Sequence, residues 1–239
     1  METLKYILGQ PEYVDGAGPI YPVKLKHYDE FRQCSSVLYY SKLHFNEQFQ
    51  TFPLLDLLIF GLRDEQVTDM LKRLFCLVLR KNVEYIELGD KYAFLTDDGN
   101  AVRRDNYDEI RKIVMRQNLL FEQKIYRNEL TQAWANKVLQ AKAKQGVNIT
   151  LEDMVTTVSA ITGKSYDQLA EQTIYQLHAD FKRIAKDKDY QTSIAMMCAG
   201  ADQINVRHFA EQIDLFENPY DALFVGKERL TQLDRAMSQ

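Results

Sequence analysis

Residues 83–103 read VEYIELGDKYAFLTDDGNAVR, and this stretch decides the class of fold. Val83, Tyr85 and Glu87 alternate with Glu84, Ile86 and Leu88, the period of an extended strand. Gly89-Asp90 supplies turn chemistry, and Tyr92–Leu95 (YAFL) returns as a second strand. Asp97-Asp98-Gly99-Asn100 is a second turn, after which Ala101–Arg103 adds a third short strand. An antiparallel meander therefore sits in the middle of a chain that is otherwise patterned for helix. The second turn resembles a phosphate or calcium loop only superficially. Neither it nor Asp15-Gly16-Ala17-Gly18 carries the Lys-Ser/Thr of a phosphate loop or the acid spacing of an EF-hand.

Upstream, Leu4–Leu8 (LKYIL) and Ile20–Leu25 (IYPVKL) flank the Asp15–Gly18 turn and predict a β-hairpin. Pro22 places the second strand at an edge or bulge. From Lys26 the apolar period lengthens through Tyr28, Phe31, Val37 and Leu38, predicting a helix of about 15–18 residues. Pro53 opens a short helix over Leu54–Gly61. Asp64 caps a stronger one whose stripe is Val67, Met70, Leu71, Leu74, Phe75 and Val78. Asp105 or Asn106 caps a further helix with Tyr107, Ile110, Ile113 and Val114 inward. Residues 1–118 thus read as an α+β domain whose two β patches could share one sheet, and 119–127 as a connector.

Residues 128–239 read as an all-α domain. Glu129–Lys144 is a helix carrying the only tryptophan, Trp134. Thr150, Ser165 and Thr173 each have an acidic or amide residue three positions on, the sign of helix starts. Ile174, Leu177, Phe181 and Ile184 mark a core face; Tyr190–Ala199, Val206–Phe216 and Lys227–Met237 follow as helices. The expected architecture is α+β and predominantly helical, with small antiparallel hairpins and helices first and an all-α second half.

Composition narrows the function. The chain of 239 residues is 46% hydrophobic and 27% charged, with 10 Gly and 5 Pro, the mix of a globular protein. The net charge of -4 gives no global field toward nucleic acid or anionic lipid. Cys34, Cys76 and Cys198 are odd in number and lie among apolar residues, so a reducing compartment is expected. The first residues lack the apolar core of a signal peptide, and LLDLLIFGL (Leu54–Leu62) is too short to span a bilayer. A cytoplasmic location with no membrane association follows as an expectation.

Chemistry is sparse. His27, His44, His178 and His208 have no second ligand at metal spacing. Carboxylate pairs such as Asp29/Glu30, Asp108/Glu109 and Glu152/Asp153 fall in first helical turns, where the helix dipole explains them. No catalytic residue, cofactor site or metal site is assigned, and the protein is expected not to be an enzyme. Residues 101–145 carry ten basic side chains against five acidic ones, including Arg103, Arg104, Arg111, Arg116 and Lys137. A nucleic-acid surface is an alternative reading of that region; a solvated helix face is the simpler one.

The order of segments carries a resemblance. YILGQPEYVDGAGPIYPVKLKHYDEF (Tyr6–Phe31) resembles the opening of phage tail assembly chaperones. LEDMVTTVSAITGKSYDQLAEQTIYQLHADFKRI (Leu151–Ile184), followed by INVRHFAEQIDLF (Ile204–Phe216), is similar to the helical half of tail-module proteins of Gram-positive phages and prophages. The resemblance implies a non-enzymatic protein of virion morphogenesis. It would bind the tape-measure protein in the infected bacterial cytoplasm and use no cofactor; repeated binding along a long client would favour homo-oligomers. An exposed apolar surface would do this work, since aromatic and methionine side chains adapt to varied partners. The side chains expected to provide it are Phe45, Phe49, Phe52, Met196, Met197, Leu215, Phe216, Tyr220, Leu223 and Phe224. A binding protein that modulates a bacterial defence system is a further alternative.

Overall fold

The computed structural model describes residues 3–89, 91–122, 130–134, 136–137, 149–202 and 204–216. Met1–Leu120 and Leu151–Leu215 form one compact unit, and Phe121–Thr150 with Phe216–Gln239 form a second. The expected helix over Glu129–Lys144 is helical at 130–134 and 136–137. Its remaining residues, and the expected helix Lys227–Met237, lie outside the described residues.

The first unit is α+β and mostly helical. It opens with α1 (Thr3–Ile7) and a hairpin of β1 (Glu12–Val14) and β2 (Gly18–Ile20), paired Glu12 with Ile20 and Val14 with Gly18. Here the structure corrects the expected long hairpin: Leu4–Leu8 contributes a helical turn, not a strand. The helix turns Tyr6 inward against Tyr175, with ring centroids 5.4 Å apart, and its hydroxyl donates to Glu12 Oε1 at 3.0 Å. Local β propensity loses to that tertiary contact. Gly16 and Gly18 close the turn with φ of 71° and 85°, values that suit a residue without Cβ.

The expected helix from Lys26 is a broken one. It consists of α2 (Tyr28–Cys34) between 3₁₀ turns at Leu25–His27 and Ser35–Tyr39. Then come α3 (Leu54–Asp56), which widens into a π turn over Leu57–Gly61, and α4 (Glu65–Leu79). Asp64 accepts from the Gln66 amide at 2.9 Å, the cap its sequence position predicts. The meander is β3 (Val83–Leu88), β4 (Lys91–Thr96) and β5 (Ala101–Val102), in that spatial order. Helix α5 (Tyr107–Gln117) follows.

The two β patches remain separate sheets. One backbone bond joins them, from the Ala101 amide to the Gly16 carbonyl at 2.8 Å. Asn106 makes the junction: its Nδ2 donates to the carbonyls of Asp15 and Ala101, while its Oδ1 accepts from the Arg103 amide at 2.8 Å. A residue expected only to cap α5 thus holds two turns together.

Helix α4 runs through the core, burying Val67, Leu71, Leu74, Phe75, Val78 and Leu79 among Ile20, Phe31, Leu38, Leu58, Phe94 and Tyr107. The Tyr107 hydroxyl is fully buried without a hydrogen-bond partner among the described residues. A buried unpaired polar group is destabilising. Tyr107→Phe is therefore expected to raise unfolding stability by about 1 kcal/mol, read as a higher urea midpoint with an unchanged slope.

The helical segment packs into this same unit. It comprises α6 (Leu151–Thr162), α7 (Tyr166–Ala170) and α8 (Ile174–Cys198). Val158, Leu169 and Leu177 form a small cluster with Leu25, while Ile174 enters the main core. The capping boxes predicted at Ser165 and Thr173 form. Ser165 Oγ accepts from the Gln168 amide and Gln168 Oε1 from the Ser165 amide, and Thr173 and Gln176 do likewise. Ser165→Ala and Thr173→Ala should each cost about 1 kcal/mol in chemical unfolding.

Two expectations for this segment are corrected. Ile174–Cys198 is one continuous helix of 25 residues, because no Gly or Pro interrupts it. Val206–Phe216 is not helical; 204–216 is an irregular strap. Arg183 donates to the carbonyls of Phe209 and Glu211, and Lys186 pairs with Glu211 at 2.9 Å. The Arg183 guanidinium thus takes two carbonyls that a helix would have bonded internally.

The segment is also tied to residues 24–26. The Leu25 amide donates to the Gln172 carbonyl at 2.8 Å. Lys24 and Lys26 close on the Glu171 carboxylate at 2.6 and 2.5 Å. Hydrogen bonds from these two ammonium groups hold the Glu171 carboxyl down to about 2. A depressed carboxylate stabilises the fold at pH values above its unfolded pKa, and the gain disappears as pH falls through the folded value. This contribution should be full above about pH 4.5 and lost toward pH 2. An NMR titration of the Glu171 side chain checks it, with Glu171→Gln flattening the acid limb of stability.

Candidate partner-binding surfaces

Among the described residues no group of three or more His, Cys, Asp or Glu could hold a metal ion. His44 Nδ1 accepts from the Ser41 amide at 3.0 Å, closing a 3₁₀ turn. His208 stacks on Phe209 with centroids 4.5 Å apart, and its Nδ1 accepts from the Ala210 amide. Burial, with the charge of Lys182, lowers the pKa of His178. Asp98 is engaged by Lys81, Thr96 and Asn100, which hold its carboxyl well below the usual range; it fastens the β4–β5 turn. Burial pushes the Cys34 thiol up to about 11, so the buried thiol is a poor nucleophile.

The basic region is dispersed. Arg111 is buried, with Nε donating to the Leu38 carbonyl at 2.9 Å, and presents no charge to a ligand. Arg116 lies over the Tyr6 ring at 5.5 Å. Arg104 pairs with Asp56 at 3.6 Å and covers the Tyr92 ring. Lys124, Arg127, Lys142 and Lys144 lie outside the described residues.

Apolar side chains meet solvent in several places. The loop after the Ser35–Tyr39 turn carries 3₁₀ turns at Lys42–His44 and Glu47–Phe49. Phe49 and Phe52 are 43% and 50% exposed, and Leu43 is exposed beside them in sequence. Phe45 points the other way. It is half-buried against the main core, and its ring lies about 3.5 Å from where a side chain on Gly61 would sit. At the distal end of α8, Ile194, Met196 and Met197 are exposed. The strap meets α8 at Tyr190, through His208 and Phe209, and no residue of α8 beyond Leu177 is fully buried.

The remaining expected binding residues are placed differently. Leu215 is buried, so it is a packing residue at the end of the strap, and Phe216 is half-buried. Tyr220, Leu223 and Phe224 lie outside the described residues. Sequence reasoning missed two further surfaces. Leu4 and Ile7 on α1 and Leu8 just after it are exposed, and Ile86 and Leu88 are exposed on β3. The second was visible in principle, since VEYIEL places apolar residues on both faces of one strand.

A family model described as the YomV second domain matches residues 141–214. Over 224 residues the chain is 23% identical to the "SPbeta prophage-derived uncharacterized protein YomV" of Bacillus subtilis (strain 168), covering 91% of this chain and 92% of that protein. No solved structure matches. The chain thus resembles a prophage-encoded protein over nearly its whole length.

Proposed function

We propose that this chain is a non-enzymatic, phage-type protein-binding factor, a tail assembly chaperone that holds the tape-measure protein soluble in the bacterial cytoplasm during virion morphogenesis. One observation carries the reading: Phe49, Phe52, Met196 and Met197 stand exposed to solvent. Exposed aromatic and methionine side chains supply contact area and adapt to a partner. The likeness to a prophage-derived protein supports the phage setting. Self-association along a long client would multiply weak contacts into avidity.

The test is co-expression of the full chain with a tape-measure fragment. A soluble complex on a sizing column is expected, and Phe49→Asp with Phe52→Asp should abolish it while leaving the thermal melt unchanged. An insoluble fragment and no complex would sink the proposal. Salt-dependent binding of DNA or RNA by the full chain would favour the nucleic-acid alternative instead. A stable complex with a host defence effector would favour the third reading.

A further inference from the structure

The C-terminal end of α4 and the chain just after β2 enclose a cavity of about 340 Å3. Lys24, Lys26, His27 and Arg80 line it beside an apolar wall that includes Val23 and Leu77, and no Asp or Glu does. The ion pairs leave part of this charge uncompensated. One exposed carboxylate, Glu171, spans both lysines, 2.6 Å from Lys24 Nζ and 2.5 Å from Lys26 Nζ. Two ammonium groups thus share a single negative charge. Glu30, on neighbouring α2, is turned to Arg73 at 4.0 Å, and Arg80 has no ion-pair partner among the described residues. After Glu171 is counted, the lysine pair and Arg80 each leave a positive charge, on a chain whose net charge is -4.

Arg80 sits at a position that favours another residue. It ends α4 in the left-handed region, with φ 55° and ψ 39°, where glycine fits best and a Cβ brings strain. No strong hydrogen bond offsets that strain: the guanidinium reaches the Pro22 carbonyl only at 3.5 Å. It lies instead over the Tyr21 ring, 4.2 Å from the centroid. A guanidinium held flat on an aromatic ring keeps its N–H edge for an oxyanion. Strain retained under an exposed side chain points to a use for that side chain. Arginine and lysine donate and never accept, so the occupant must offer acceptors and negative charge. A phosphoryl group meets both demands. The cavity lies at the small end of the range for ligand pockets, about 300–1,000 Å3, which leaves room along Val23 and Leu77 for a small organic group.

We propose that this cavity binds a phosphoryl group, as the free anion or on a small organic ester, through Arg80, Lys24 and Lys26. Glu171 is its internal competitor, holding the two lysines when the anion is absent. The site shares no residue with the surfaces of the chaperone reading and stands whether or not that reading does.

The full chain is titrated with inorganic phosphate, with ionic strength held constant by chloride, and followed by NMR of backbone amides and arginine side chains. Saturating shifts confined to residues 22–27, residues 76–80 and the Arg80 side chain are expected. Arg80→Gly removes the guanidinium and relaxes the left-handed backbone. It should weaken phosphate binding about tenfold or more while the melting temperature holds or rises, which separates binding from folding. Glu171→Gln frees both lysines and should tighten phosphate binding about threefold or more at low salt. Glycerol 3-phosphate serves as a second probe. Tighter binding than phosphate assigns the apolar wall to an organic ester, and equal or weaker binding assigns the site to the free anion; each supports the proposal. Shifts scattered over surface lysines without saturation overturn it. So does an Arg80→Gly variant that binds phosphate as the parent does. A Glu171→Gln variant that binds no better also overturns it, because the lysines would then be closed to an anion.

Discussion

Phe75→Ala should lower unfolding stability by about 3–5 kcal/mol, the largest loss expected from any single truncation here. Phe75 is 1% exposed on the inner face of α4. Its ring meets Phe94 of β4 edge-on at 4.9 Å and Tyr107 of α5 at 6.2 Å. One side chain therefore joins the longest N-terminal helix to the sheet and to the following helix. Removing it forfeits the transfer energy of the ring, the edge-to-face contacts, and the packing of a cavity that three rigid elements cannot close. The measurement is a urea unfolding curve with the thermal melt alongside. Phe75→Leu, which keeps most of the volume, should lose less than half as much. A loss below about 1 kcal/mol for Phe75→Ala would show that the three elements are not packed through this ring.

Asn118→Ala is expected to cost about 2–3 kcal/mol despite deleting only a small amide. Asn118 is buried just past the end of α5. Its Oδ1 accepts from the Val23 amide at 3.1 Å and its Nδ2 donates to the Val114 carbonyl at 2.8 Å. Val23 is itself buried, so the substitution leaves a backbone N–H with neither a protein acceptor nor water. Hydrogen exchange gives a local readout beside the global one. The Val23 amide should lose protection in the variant well beyond what the drop in overall stability explains. Unchanged protection at Val23 would refute the assignment. Neighbouring Gln117 makes a similar bond, from Nε2 to the Ile20 carbonyl at 3.0 Å. The end of α5 thus clamps the segment Ile20–Val23 twice.

Helix caps and strand alternation were legible because their causes are local. Asp64, Ser165 and Thr173 announce their helices through side chains that reach backbone amides two or three residues away. The meander of residues 83–102 reads directly from period-two alternation between turn residues. The candidate surfaces were less legible. Phe45, Phe49 and Phe52 look alike in sequence, yet Phe45 packs beside Gly61 while the other two meet solvent. Leu215 reads as part of an exposed apolar run and is buried. The Ile86–Leu88 face was in the alternation all along, but only a register shows what lies opposite each residue.

What the linear chain determined by itself was therefore the element types, their caps and an α+β class of fold, since each depends on interactions within one or two turns. Three matters were left to the tertiary structure. The contact with Tyr175 decides that Leu4–Leu8 coils. Arg183, by taking two of its carbonyls, and Lys186, by pairing with the Glu211 carboxylate, keep 204–216 from coiling into a helix. The sum of packing on each side decides which apolar side chains remain at the surface. These outcomes depend on groups far apart in sequence, and the free energy of burying a side chain is set by whatever the fold brings against it.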